Sequence, residues 1–152
     1  MKIGINSIIG VTTVATVMSC SSAKKEYASF ELYPVRTGSL TEMEYTPEAT
    51  KFNLWSPTAE EVRLMLYEAG EGGHAYETVK MQPGEEGTWS AVVNKDLIGK
   101  FYTFNVKIDD KWKGDTPGIN ARAVGVNGRR AAIIDWQSTN PDGWDECHSP
   151  NR

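Results

Sequence analysis

An antiparallel β-sandwich is the fold class the sequence predicts. Three observations carry it: apolar residues recur with period two, clusters of turn-forming residues separate these runs about every ten positions, and no long window shows a capped helical period of 3.6. In KFNLWS, Phe52 and Leu54 alternate with Lys51, Asn53 and Trp55. In EVRLMLYE, Val62, Leu64 and Leu66 share one face, with Arg63, Met65 and Tyr67 on the other. In TWSAVV, Trp89, Ala91 and Val93 align, which places Trp89 in the core. In KFYTFNVKID, Tyr102, Phe104, Val106 and Ile108 align against Phe101, Thr103, Asn105 and Lys107. Alternation of this kind describes strands with one buried face. The segments SPTAE, EAGEGGH, QPGEEG, DDKWKGDTPG and GVNGRR between them carry the Gly, Pro, Asn and Asp chemistry of turns. Asn127 followed by Gly128 is the sharpest tight-turn signal, and RRAAIID after it reads as a last strand.

The sandwich is expected over residues 40–135. Ahead of it, residues 1–20 hold one early charge, Lys2, then an uncharged run over residues 3–18, then Ser19 and Cys20. A basic start, a short apolar middle and a small-residue exit describe a secretory signal. A buried strand or helix would use the same run, but the polar SSAKKEYAS that follows favours the signal. Ending on Ser19 and Cys20 resembles a bacterial lipoprotein lipobox, which implies cleavage before Cys20 and acylation of that residue. Several acyl chains make membrane attachment stable. The remaining 133 residues would carry a net charge of −5. Residues 21–39 read as a linker that enters the domain within residues 40–45, and residues 136–152 as a second linker.

The chain has 152 residues, 16 basic and 20 acidic, for a net charge of −4. That length suits one domain and is too short for a (β/α)₈ barrel, which needs about 250 residues. The acidic balance argues against nucleic acid as a partner, because no phosphate-neutralising surface is available. With only Cys20 and Cys147, a disulfide framework is not expected, and Cys147 with His148 lacks a second pair of metal ligands. Neither His74, in a Gly-rich loop, nor His148, near the chain end, has a Ser or Cys nucleophile beside it in sequence. The paired acids Asp109 and Asp110, and Glu85 and Glu86, fall in turns, whereas a glycosidase needs two carboxylates flanking a cleft. GEGG at 70–73 lacks the Lys-Ser/Thr pair of a phosphate cradle. No residue is read as catalytic, and neither a metal nor a cofactor is implied.

The aromatics are the informative set. Trp55 has the opposite parity to Phe52 and Leu54, so it is either an exposed platform or buried against another domain, and a domain interface is the preferred reading. Trp112 sits in the expected turn DDKWKGD among polar neighbours. A planar indole there can pack on the apolar face of a sugar while Asn, Lys or Asp groups bond its hydroxyls. A purely structural role for Trp112 weighs equally.

FNLWSPTAEEVRLMLYE, GTWSAVV and KFYTFNVKIDDKW together resemble carbohydrate-binding module family 48, an immunoglobulin-like sandwich of the early-set type that precedes the catalytic barrel in many glycoside hydrolase family 13 enzymes. GDTPGINARAVGVNGRRAAIIDWQSTNPDGWD is similar to type I pullulanases through its Ala-Val-Gly-Val-Asn-Gly run. With the lipoprotein-like start, the chain resembles pullulanases of the Bacteroides group, a likeness that runs from residue 40 to residue 146. The resemblance implies a debranching parent that hydrolyses α-1,6-glucosidic bonds in pullulan, glycogen or amylopectin with retention. Its catalytic Asp and Glu belong to the barrel, and no position here inherits them. The implied partners are an α-glucan, the parent's barrel and, through the anchor, a membrane. The implied location is the cell envelope, at the outer membrane or cell surface. Within the module, Trp112 after Tyr102-Thr103-Phe104 matches a stacking Trp of glycogen-binding relatives. Thr103 stands where those binders often have Lys. Tyr76 is the one substitute for their second stacking Trp, and Asn120 is a candidate hydroxyl partner. The family also holds modules that are mainly structural, so the alternative is a docking sandwich without a sugar site.

Overall fold

A computed structural model describes residues 27–146. Among them, nine strands follow in order: β1 Met43–Tyr45, β2 Thr50–Trp55, β3 Glu61–Tyr67, β4 Glu77–Lys80, β5 Gln82–Pro83, β6 Thr88–Val93, β7 Phe101–Ile108, β8 Lys111–Thr116 and β9 Ala131–Ala132. The first sheet runs β1-β2-β6-β5 and the second β4-β3-β7-β8, with β9 also on β7. Every pairing is antiparallel. The regular secondary structure is otherwise short 3₁₀ turns, so the protein is an all-β, immunoglobulin-like sandwich.

Register follows from the alternation. β2 meets β6 with Phe52 opposite Ala91 and Leu54 opposite Trp89. β3 meets β7 with Val62 opposite Val106, Leu64 opposite Phe104 and Leu66 opposite Tyr102. A slip of one residue would turn each apolar set outward, so the buried face pins the pairing. Phe52, Val62, Leu64, Leu66, Trp89, Ala91, Val93, Tyr102 and Phe104 are all buried. The Tyr102 ring lies 5.0 Å from that of Phe52 and 5.5 Å from that of Phe104, both edge-on. Met81, Leu97, Ala131 and Ile133 close the core from segments outside the alternating runs.

Two connections depart from the expectation. DDKWKGDTPG, read as a turn, holds a turn only at Asp109 and Asp110, both with φ above +50° (52° and 57°), as a tight two-residue hairpin requires. Lys111–Thr116 of the segment form β8, so Trp112 stands on a strand. All six β8 residues are exposed, which removes the alternation that would have marked a strand. Lys, Gly and Asp along it suit an edge strand that must not pair with another chain. The second departure follows: β4 falls between EAGEGGH and QPGEEG, where no strand is expected, and β5 takes the first two residues of QPGEEG.

The turn at Asn127 and Gly128 forms as expected, whereas the strand read over RRAAIID is confined to Ala131–Ala132. Asn127 and Gly128 take φ of 54° and 65°, and the amide of Arg130's neighbour Arg129 donates to Val126 O at 3.3 Å. Beyond the turn, β9 lays Ala131 against Tyr102 and Ala132 against Phe101. The hairpin packs so tightly on the 69–73 loop that a Cβ on Gly125 would come within 2.8 Å of Gly70 Cα. Arg130 fastens the two: its guanidinium lies 3.7 Å from the Tyr67 ring centroid and donates to Ala69 O at 2.6 Å and Gly73 O at 3.2 Å.

Ahead of β1, Glu42 is buried between the sheets, where it accepts hydrogen bonds from the Tyr102 hydroxyl at 2.8 Å and the Asn120 amide at 2.9 Å. Among the described residues, no helix is long and apolar enough to cross a membrane. The expected leader, Cys20 with its acylation, and Cys147 lie outside the described residues.

Candidate binding surface

Side chains of β3, β7 and β8 that point away from the core build the outer face of the second sheet. Paired residues share a face. Glu61 is opposite Lys107, Arg63 opposite Asn105 and Met65 opposite Thr103, while β8 adds Trp112 beside Lys107 and Asp115 beside Asn105. Trp112 is 37% exposed. The Arg63 guanidinium covers one face of its ring, 4.0 Å from the centroid, and the Arg63 Nε–H donates to Glu61 Oε1 at 3.0 Å. The hairpin that carries Trp112 is fixed at its tip: Lys107 Nζ donates to Asp110 Oδ1 at 2.9 Å, and the Asp110 amide to Glu60 Oε2 at 3.2 Å. The bond to Asp110 raises the Lys107 ammonium above its usual range.

Further along the same face lies a polar cluster. Asn105 Nδ2 donates to Asp115 Oδ1 at 2.6 Å, and the Tyr67 hydroxyl to Asp115 Oδ2 at 2.8 Å. The Tyr67 oxygen is also 3.2 Å from Thr103 Oγ1. Burial is the chief cause that pushes the Tyr67 phenol up. Tyr67, Thr103 and Asp115 line a depression of about 410 Å³ together with Pro117, Arg129 and Arg130. Asn105 Oδ1 is buried with no hydrogen-bond partner. Trp112 and this cluster thus give one face an apolar plane followed by donors and acceptors, the combination that sugar binding requires.

The other expected positions do not gather there. Thr103 is on the face by register but only 1% exposed, because Tyr67 and the last hairpin cover it. Tyr76 is 43% exposed just ahead of β4, where its amide donates to Leu66 O at 2.9 Å. That is the sheet's opposite edge and opposite end from Trp112, so the two rings do not form one platform. Asn120 is tied by its amide to Glu42 at the rim of the core, not beside Trp112. Trp55 does face away from Phe52 and Leu54, on the outside of the first sheet opposite Thr88. It is only half-buried rather than bare, and its indole N–H donates to Glu86 O at 3.0 Å, because the turn before β6 folds back over it.

Arg63, Asn105, Asp115, Tyr67 and Arg129 were not singled out from the sequence. The outward parity of Arg63, Tyr67 and Asn105 was readable, but nothing local told that β8 would bring Asp115 and Trp112 alongside them. Among the described residues, no three His, Cys, Asp or Glu side chains gather as metal ligands.

Comparison with known proteins locates this architecture. The chain is similar to the crystallised pullulanase of Paenibacillus barengoltzii in complex with maltohexaose and α-cyclodextrin, with 40% identity and a TM-score of 0.73 over 80% of this chain and 18% of that one. It is similar to the pullulanase of Bacillus acidopullulyticus at 31% identity, with a TM-score of 0.71 over 77% of this chain and 14% of that one. The pullulanase of Bacillus subtilis is 28% identical over 90 residues, which are 59% of this chain and 12% of that protein. The chain therefore spans less than a fifth of the length of these relatives. Residues 41–124, more than half of the chain, match carbohydrate-binding module 48 (isoamylase N-terminal domain), and the chain, an all-β sandwich, belongs to that family.

Proposed function

We propose that this chain is the α-glucan-binding N-terminal module of a pullulanase-like debranching enzyme of glycoside hydrolase family 13. The observation that carries the reading is Trp112, exposed on the outer face of a family 48 module and flanked on the same face by Asn105, Asp115 and Tyr67. The free face of the indole stacks on a glucose ring, and the cluster bonds hydroxyls of the same or the next sugar. In the parent, hydrolysis of α-1,6 bonds would belong to a barrel, and this module would hold glycogen, amylopectin or pullulan near it.

Affinity electrophoresis of residues 21–152 through gels of these glucans tests the reading. The expected result is retardation, lost in Trp112→Ala at an unchanged melting temperature. Mobility unaffected by all three glucans would transfer the function to docking on the parent's barrel. The exposed apolar residues ahead of β1, Phe30 at 74%, Leu32 at 60% and Val35 at 77%, are the observation that favours this second reading. Trp55, on the outside of the first sheet, would be its other contact.

The lipobox-like run ending at Cys20 supports a lipid-anchored, envelope-located protein of a Bacteroides-like organism. Expression in a host that processes lipoproteins should give palmitate labelling, abolished by Cys20→Ser. Labelling that survives the substitution would remove the anchor from this account.

A further inference from the structure

Trp112 has one ring face to offer, because Arg63 occupies the other at 4.0 Å. The two residues are not on neighbouring strands. Arg63 belongs to β3 and Trp112 to β8, with β7 between them. The Arg63 side chain therefore spans a strand, past its register partner Asn105, to reach a ring whose own partner is Lys107. Glu61 takes the Arg63 Nε–H at 3.0 Å, which orients the guanidinium along that path. We infer that Arg63 is a positioning residue of the glucan platform, holding the Trp112 indole in one orientation so that the face turned away from Arg63 is set before a sugar arrives. The inference rests on the reading of Trp112 as the stacking residue.

Three features favour this over a role in the fold. The Arg63 side chain keeps 43% of its surface and Glu61 25%, so neither is core. An exposed ion pair or cation–π contact contributes little to folding. It is nevertheless of the size needed to choose among the staggered rotamers of a side chain on an exposed edge strand. The ring's other support, the β7–β8 hairpin, is already held by Lys107, Asp110 and Glu60, so the indole's own rotation is the freedom left to remove. Removing it before binding raises affinity by cutting the ordering cost. A planar guanidinium covers an indole face, whereas a Lys ammonium is a compact, strongly hydrated point charge.

Calorimetric titration of the purified chain with maltoheptaose, beside its melting curve, tests the inference. Arg63→Ala should weaken binding about twofold to fivefold, the range an exposed cation–π contact spans, with the melting temperature unchanged. Arg63→Lys should recover little of that loss despite its charge. The Trp112 emission, isolated as a difference from Trp112→Phe, should become less polarised in Arg63→Ala. Binding that Trp112→Ala removes while Arg63→Ala leaves it equal or tighter overturns the inference alone. Full rescue by Arg63→Lys does the same, since charge rather than planar cover would then be the cause. A chain that binds no maltoheptaose overturns the underlying reading and the inference with it.

Discussion

Trp89→Ala is expected to lower the unfolding free energy by about 3–5 kcal/mol, a large share of the 5–15 kcal/mol typical of a domain. Trp89 is 5% exposed and stands between Leu54 of β2 and Pro83 of β5. Its ring fills the inner face of the first sheet, and its indole N–H donates to Ser56 O at 3.0 Å. Alanine would leave a cavity that the two flanking strands cannot close, since their register is pinned by the rest of the core. The Ser56 carbonyl would also lose its donor. Trp89→Phe keeps most of the volume and should cost clearly less. Urea denaturation followed by circular dichroism reads both. A midpoint for Trp89→Ala close to that of the unsubstituted chain would mean that the first sheet is not packed through this residue. Val92, on the opposite face and 56% exposed, is the matched control: Val92→Thr should stay within about 0.5 kcal/mol.

Glu42→Leu should be nearly as damaging, for a different reason. The carboxylate is 4% exposed and accepts from the Tyr102 hydroxyl and the Asn120 amide, so it ties the segment before β1 both to β7 and to the loop after β8. Leucine would strand both donors, at about 1–3 kcal/mol for each one left buried. Gly118 belongs to the same arrangement: a Cβ there would fall 1.9 Å from Glu42 Oε2, so Gly118→Ala must push the carboxylate aside and should destabilise in the same sense. Tyr102→Phe removes one donor of two and should be milder.

This network also gives a pH dependence. Burial first, and the neighbouring Glu42 second, raise the Tyr102 phenol far above its usual range. A folded chain that holds this proton more tightly than the unfolded one has the stabilisation in full below the ordinary phenol pKa of about 10, and loses it as the pH rises beyond. Tyr45 adds in the same direction, its phenol pushed up to about 12 chiefly by the hydrogen bond to Asp96. Melting temperatures should therefore fall above about pH 10, and fall less steeply in Tyr102→Phe. Parallel curves for the two proteins would show that Tyr102 is not the group responsible.

β2, β3, β6 and β7 were legible because each has one dry face and one wet face, and period two records that difference residue by residue. Phe52, Leu64, Leu66, Trp89 and Phe104 could be assigned to the core from parity alone. β8 could not be found this way, since an edge strand exposed at all six positions has no dry face to record. Glu42 was invisible for the opposite reason: a lone acid in a polar lead-in gives no sign that two donors from residues 102 and 120 converge on it. The binding surface divides likewise. Trp112 stood out as an indole among polar neighbours, but Thr103, outward by parity, is covered because Tyr67 and Arg130 close over it.

By itself the sequence determined the sandwich, the face that each central strand buries, most of its core and, through its motifs, its likeness to the modules of pullulanases. Those properties are local: they depend on alternation, turn chemistry and short runs of residues that neighbours along the chain express together. Only the tertiary structure decided which outward residues share a surface. It set Arg63 over Trp112 across an intervening strand, joined Asn105, Asp115 and Tyr67 beyond it, and sent Asn120 and Tyr76 elsewhere. Such a surface is assembled from segments as far apart as residues 63 and 112, and strand order, which no single segment encodes, brings them together.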